Sequence, residues 1–405
     1  MFASAFEFGR AVSNVIVYDD SEKSKPDSTN RLIKAGAVTV SARTIGALRR
    51  KLEKENSKRK LKGLSLLLLA VPLSACGGSD DAEVVSLPEV SGRAIDGYLV
   101  GSTVSLSSDP DTFVETISTS GQQGQFSGLF GSGSIIVTGG VDISTGKSFT
   151  GELRAPAPEI ITDEAGNQTV AELVVTPLTT LVEAVVSAAT ATGAAPVSVA
   201  QASAQVAKGL GLTATADILK TDFVADGSAG MAKAAAQVAS VIAVVTASAG
   251  SEVSAAVLGN IATKVAKAGE VGGKAKVLTD AAELTSVFTE VIETQAELFE
   301  DTPEGLDLNE FVGSISESVA TVNEKVAAAE SMKDIVATQQ LVQEDLVAAF
   351  TIELDEGEAF DPASFGAALT DLTENFDAKL EEAAAELEVY LASEDLGFDL
   401  EVELD

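Results

Sequence analysis

Few side chains in this sequence are equipped for chemistry. Cys76 is the only thiol, and the 405 residues include no histidine and no tryptophan. Without imidazole there is no Ser-His-Asp triad, no Cys-His dyad, no His-ligated zinc and no usual general base near neutral pH. Ser144 and Lys147 stand in "STGK", the S-x-x-K spacing in which a desolvated lysine one helical turn away activates a serine nucleophile. That chemistry requires a helix start. Here threonine and glycine separate the pair between two strand-like segments, which predicts a hairpin turn, and the companion S-D-N and K-T-G motifs are absent. Asp109 and Asp111 in "SSDPDT" (Ser107–Thr112) have the spacing of two ligands in an acidic calcium loop, but the asparagine, glycine and closing glutamate are missing. A plain hairpin turn is expected there, the alternative being a weak calcium site on those two aspartates. Gly131-Ser132-Gly133 lacks the remainder of any phosphate-binding loop. Asp96 in "IDGYL" and Asp142 in "GGVDIS" neighbour glycines and are expected to cap turns through their side chains.

The surroundings of Cys76 are more specific. Lys58, Arg59, Lys60 and Lys62 form a basic segment, Leu64 to Leu73 an apolar one, and small residues lead to the cysteine, the order of a secretory signal. The uncharged run from Gly63 to Ala75 is 13 residues long, short of the roughly 20 that a membrane span needs, and Pro72 would interrupt a buried helix. Leu73-Ser74-Ala75-Cys76 resembles the bacterial lipobox, and the stretch as a whole resembles a bacterial lipoprotein precursor. The resemblance implies a covalent diacylglycerol on Cys76, which becomes the mature N-terminus. With Gly77 rather than aspartate after it, the resemblance implies the outer membrane, and Ser79, Asp80 and Asp81 begin a polar tether. Residues 1–57 lack apolar periodicity. They are expected to be a misassigned or disordered extension, with translation starting at a non-methionine codon between about Val38 and Leu52, since Met1, Met231 and Met332 are the only methionines.

Residues 1–75 hold 14 Lys/Arg and 7 Asp/Glu of the chain's 27 and 61, leaving 13 basic and 54 acidic residues and a net charge of −41 from Cys76 onward. Such a surface repels nucleic acid and anionic lipid and favours solubility. With its one cysteine lipidated, the exported chain would have neither disulfide nor thiolate chemistry, so its core must hold the fold.

These residues need elements to position them. From Val90 to about Thr176, short alternating segments are spaced by turns such as "GQQGQ" (Gly121–Gln125) and "DEAGN" (Asp163–Asn167), predicting a small antiparallel β-sandwich, residues 90–176, after a tether at 76–89. At Thr176-Pro177 the period changes to helical, with Thr176 as N-cap and Pro177 at the first helical position. Residues 177–405 are expected to form an Ala-rich, acidic helical bundle with breaks at Gly193, Gly209-Leu210-Gly211, Gly227, Gly250, Gly272-Gly273 and Pro303-Glu304-Gly305. Phe311, Ile315, Val319, Val322 and Val326 mark one buried stripe. Phe365, Leu369, Leu372, Phe376, Leu380 and Leu387 mark another, opened by Asp361-Pro362 and backed by acids. "AAAQVASVIAVVTASA" (Ala234–Ala249) is apolar enough to suggest a membrane but is expected to be a buried bundle helix.

"GRAIDGYLVGSTVSL" (Gly92–Leu106), "GGVDISTGKSFTGELRAPA" (Gly139–Ala157) and "VVTPLTTLVEAV" (Val174–Val185) together resemble a module of large bacterial surface and adhesin-like proteins and of marine proteobacterial lipoproteins. Its first half is similar to transthyretin-like or carboxypeptidase-regulatory-like sandwiches. The resemblance implies an exported protein in two domains, anchored by lipid at the outer membrane on its periplasmic or outer face. It implies a structural, adhesive or scaffold role without catalysis, an envelope protein as possible partner, and no nucleic acid or identifiable small-molecule ligand. A ligand-binding or secretion-associated lipoprotein is the second reading, for which an aromatic-lined pocket between helices would speak. A carboxylate-based hydrolase is the third, and requires acids converging in one cleft.

Overall fold

The computed structural model describes residues 88–119, 121–162, 168–191, 196–213, 216–299, 305–351 and 362–393. Cys76, the signal-like stretch, the extension before it, and the predicted turn Asp163–Asn167 lie outside the described residues. So does the expected break at Gly193.

A region of small, mostly antiparallel sheets comes first, and helices follow. The strands β1 (Glu89–Ala94), β2 (Leu99–Val100), β3 (Thr103–Leu106), β4 (Asp109–Glu115), β5 (Gln125–Phe130) and β6 (Ile135–Thr138) are followed by the two-residue β7 (Val141–Asp142) and β8 (Lys147–Ser148). Then come β9 (Glu152–Ala155), β10 (Ile160–Thr162), β11 (Gln168–Val170) and β12 (Leu173–Val175). The main sheet has the order β4-β3-β6-β9, and its register places Val104, Val137 and Leu153 in one row and Leu106, Ile135 and Ala155 in the next. All six are buried. The alternation in the sequence is therefore the alternation of the pleat, one face inward. A second sheet, β12-β1-β5, contains one parallel pair, Gly92–Ala94 with Leu173–Val175. That departs from the purely antiparallel expectation. The chain returns to β1 only after the whole β region has been traversed, and such a long crossover is what permits parallel pairing.

Helix α1 (Pro177–Ala191) starts as the sequence predicts. Thr176 Oγ1 accepts from the Thr179 amide at 3.1 Å, and Thr179 Oγ1 accepts in return from the Thr176 amide at 2.8 Å, a reciprocal cap with threonine in the place usually held by glutamate. Helix α2 (Val199–Gly209) opens on a Ser198–Gln201 capping box. The longest helix, α3 (Ala229–Glu270), bends at Gly250, whose φ of 87° and ψ of 170° leave helical space. The expected break is thus a kink within one helix, at a conformation that glycine adopts freely. From Met231 to Val245 every residue of α3 except Lys233 and Gln237 is buried, so this part of a helix that is long and apolar enough on composition to cross a membrane is packed among its neighbours. Glycine also lets α2 and α3 cross closely: a Cβ on Gly209 would strike the Val265 carbonyl, and one on Gly269 the Gln205 carbonyl.

Helix α4 (Ala281–Thr294) is capped by Asp280, and α5 (Leu308–Ala328) by Asp307. The stripe of Phe311, Ile315, Val319, Val322 and Val326 is buried along α5. Helix α6 (Met332–Leu341) passes through a π-type turn, Val342–Leu346, into Val347–Phe350. The second predicted stripe is divided between α7 (Pro362–Glu374) and α8 (Phe376–Ser393), with a break at Asn375. Leu372, Phe376 and Leu387 are buried, while Asp371, Glu374, Glu381, Glu382, Glu386 and Glu388 face water.

The β region and the helices share one continuous core within the unit Glu83–Asp405. Strand β9 packs on α1, α1 packs on α3, and α3 packs on α5. A Cβ on Gly151, just before β9, would strike Ile242 of α3. Polar ties reinforce the seam: Tyr390 of α8 donates to the Ile143 carbonyl at 2.9 Å, and Thr145 Oγ1 lies 2.7 Å from Gln343 Oε1.

Candidate functional site

Of the residues singled out in the sequence, folding brings Asp96, Asp142 and Ser144 to one small cavity. Leu106 pairs with Asp109, so the β3–β4 turn is Ser107-Ser108 and the aspartates belong to strand β4. This corrects the expectation that "SSDPDT" is all turn. Because β4 lies at the edge of its sheet, Pro110 can occupy it without removing a ladder hydrogen bond. Asp109 and Asp111 are exposed, two residues apart on one face of the strand, and among the described residues no group of three or more metal-ligating acid side chains gathers around them.

Ser144 lies in the four-residue turn between β7 and β8, and Lys147 opens β8 opposite Asp142. The Ser144 hydroxyl donates to Asp142 Oδ1 at 2.6 Å, whereas Lys147 forms an ion pair with Glu344 and lies 3.9 Å from Glu386. Serine and lysine are committed to different partners, so the S-x-x-K spacing builds a hairpin here.

Asp142 caps that turn as expected, also accepting from the Ser144 amide at 2.9 Å. Asp96 does not: among the described residues its carboxylate makes no hydrogen bond, and it faces Asp142 instead. The reason is the seam. Burial raises the Asp96 carboxyl well above the usual carboxylate range, and the charge of Asp142 raises it further. Burial also raises Asp142, partly offset by hydrogen bonds from Ser144 and Gln343. Two adjacent carboxyls in poor solvent favour holding a proton between them. The cavity they border, closed by Phe223, Met332, Ile335 and Gln339, holds about 20 Å³, room for about one water.

Tyr98 follows in the same turn with φ of 63°, the only described non-glycine residue with positive φ. Conformations of this kind cost on the order of 1–3 kcal/mol and persist where the surroundings over-determine them. Tyr98 Oη donates to Asp222 at 2.8 Å, and Arg93 pairs with Asp222 at 2.7 Å while lying 5.0 Å from the centre of the Tyr98 ring. Burial and the Asp222 charge push the phenol well above its ordinary range. Tyr98 thus acts as a hydrogen-bonded strut between the β region and the segment before α3.

A larger space opens where α3 bends. A groove of about 350 Å³ runs between β9, α1 and the Gly250 kink. Its apolar wall includes Ala188, Ala255 and Leu258, and its polar groups include Arg154, Glu183, Thr246 and Ser254. Glu183 is only 8% exposed, and a single oxygen, Oε1, accepts from both Ser134 (3.1 Å) and Ser187 (2.7 Å). Arg154 donates through Nε to Glu152 at 2.6 Å. The Thr246 hydroxyl is buried without a partner, and Ser254, 4% exposed, makes no hydrogen bond among the described residues. Nothing in the sequence marked these four residues. The one usable signal was Gly250-Ser251 interrupting an Ala/Val-rich helix, with hydroxyl residues on either side.

No protein-family model matches the chain, and no curated protein and no solved structure matches it either.

Proposed function

We propose that the protein is a lipid-anchored component of the bacterial cell envelope, attached through Cys76 to the outer membrane, with a structural, adhesive or scaffold role and an envelope protein as its partner. The observation that carries this reading is the single core shared by sheets and helices, tied across by Tyr390–Ile143 and Thr145–Gln343. A tether followed by one stiff body suits display of a surface. On this reading the sheets form a transthyretin-like β-sandwich and the helices a bundle docked on it. The acid faces of α7 and α8 keep the body solvated in an anionic envelope.

The carboxylate pair Asp96–Asp142 is the arrangement that a hydrolase reading would need, but a cavity of about 20 Å³ accommodates no glycoside or ester. The aromatic-lined pocket that would speak for an apolar ligand is not what the kink offers either, since no aromatic side chain lines that groove. A second reading, binding of a polar ligand, is favoured by the unpartnered hydroxyls in that groove.

The test is expression of the full chain with its signal beside a Cys76→Ser version, followed by intact mass and membrane fractionation. An acylated N-terminus at Cys76, lost in the variant together with membrane association, is the expected result. If both versions stay soluble and keep residues 1–75, the anchor and the role built on it are wrong. Protease access on whole cells then separates a surface component from a periplasmic one.

A further inference from the structure

We infer that the groove at the α3 kink is a binding site for a small zwitterion bearing a primary amine and a carboxylate, the chemistry of a free amino acid. The inference is independent of the lipid anchor and of the scaffold role.

A groove alone would carry little; its unsatisfied groups give it meaning. Buried polar groups in folded proteins are almost always hydrogen-bonded. Here the Thr246 hydroxyl is buried without a partner, and Ser254, across the same kink, makes no hydrogen bond among the described residues. A carboxylate as buried as Glu183 ordinarily has a cation beside it. None lies within ion-pair distance among the described residues, and its two hydroxyl donors both use Oε1, leaving Oε2 open. An ammonium group is the complement of this set. It carries a positive charge for Glu183 and has three donors to share between carboxylate and hydroxyl oxygens.

The opposite charge lies in the same groove. Arg154 is held by Glu152 through Nε, and its two terminal nitrogens have no partner among the described residues. That is the edge with which a guanidinium grips a carboxylate bidentately. Strand β9 fixes its position: the Arg154 amide donates to Thr180 Oγ1 at 2.8 Å, and its carbonyl accepts from Thr179 Oγ1 at 2.8 Å. The grip is therefore mounted on the β9–α1 contact and not on a loop. In the same groove Ala188, Ala255 and Leu258 supply an apolar wall, so the ligand's side chain is small and aliphatic. A volume of about 350 Å³ falls in the range of small-molecule sites.

The groove lies at the bend: Thr246 precedes Gly250, Ser251 and Ser254 follow it, and the positive φ at Gly250 breaks the regular helical face between them.

The experiment is calorimetric titration of the full chain, in detergent, with each standard L-amino acid singly. The matched amine and carboxylic acid that lack the other group are titrated alongside. The expected result is a small aliphatic amino acid bound with Kd of about 1 mM or tighter, and both matched analogues about tenfold weaker or worse. Glu183→Gln and Arg154→Met should each weaken binding about tenfold, and Ser254→Ala several-fold, with ligand-free melting temperatures measured for all. If Glu183→Gln fails to fold, Arg154→Met and Ser254→Ala, which alter a partly exposed side chain and a lone hydroxyl, carry the test. The inference is overturned if no amino acid binds in the millimolar range, if these variants bind as the parent does, or if the amine alone binds as tightly as the zwitterion.

Discussion

If sheets and helices share one core, a wound on the β side must be felt in the helices. Leu153 on β9 is fully buried, in register with Val137 and facing the α1 contact. Truncating it to alanine removes buried methyl groups and leaves a cavity, a change that costs about 2–5 kcal/mol. Phe350, the largest fully buried side chain on the helical side, sits edge-on to Phe311 with ring centres 6.0 Å apart. Phe350→Ala costs about 3–5 kcal/mol by the same reasoning, of which about 0.5–1.5 kcal/mol belongs to the ring pair. The discriminating readout is hydrogen exchange followed by mass spectrometry, resolved by segment, at increasing urea. In a single cooperative unit, Leu153→Ala lowers the opening free energy of α5 by the same amount as that of β3, β6 and β9, and Phe350→Ala lowers that of the strands as much as that of α5. If Leu153→Ala loosens the strands and leaves α5 at its parental protection, the β region and the helices are separate folding units. The rigid-body argument for the scaffold role would then fall.

Other expectations follow from single contacts. Asp96→Asn mimics the protonated acid. Because the folded carboxyl is raised, the parent loses stability as pH climbs from the ordinary carboxylate range through the raised value, about 1.4 kcal/mol for each unit of the rise. The variant should therefore be the more stable protein at neutral pH, with the difference vanishing in acid; equal urea midpoints at every pH would refute the buried pair. Gly151→Ala drives a methyl toward Ile242 and should cost about 1–3 kcal/mol, read as a lowered urea midpoint. Gly209→Ala meets main chain, the Val265 carbonyl, which cannot swing away, so its melting temperature should fall further than that of Gly151→Ala. Tyr390→Phe removes the bond to the Ile143 carbonyl and should cost about 0.5–1.5 kcal/mol, with faster exchange in the β7–β8 turn as its local sign.

What could be read in the sequence was local. Thr176-Pro177 announces a helix start because cap chemistry involves four consecutive residues, and the α5 stripe is legible because one helix face is a matter of spacing. The β4 boundary was misjudged because proline and aspartate usually signal turns, and only the place of β4 at the sheet edge makes Pro110 acceptable. The stripe expected from Phe365 to Leu387 is divided between two helices at Asn375 because apolar spacing says nothing about a one-residue break. Asp96 departs from a turn cap because α3 and α6 close over it beside Asp142, a burial that no local pattern encodes. The groove was invisible for the same reason. Glu183, Arg154, Thr246 and Ser254 come from three elements, and their empty hydrogen-bonding positions exist only once those elements meet.

The ties from Thr145 to Gln343 and from Ile143 to Tyr390 join positions 198 and 247 residues apart. For a chain delivered through a membrane from its N-terminal end, this separation acts as a timer. The β7–β8 turn emerges early and waits, its seam open, until α6 and α8 have followed it across. A translocation channel accepts only unfolded chain, and a fold whose clasp is made last cannot lock prematurely inside the cell. On the proposed export route, the same delay leaves a half-emerged protein with its apolar seam uncovered, and the chain is then most exposed to chaperones and proteases in the interval before its last helix arrives.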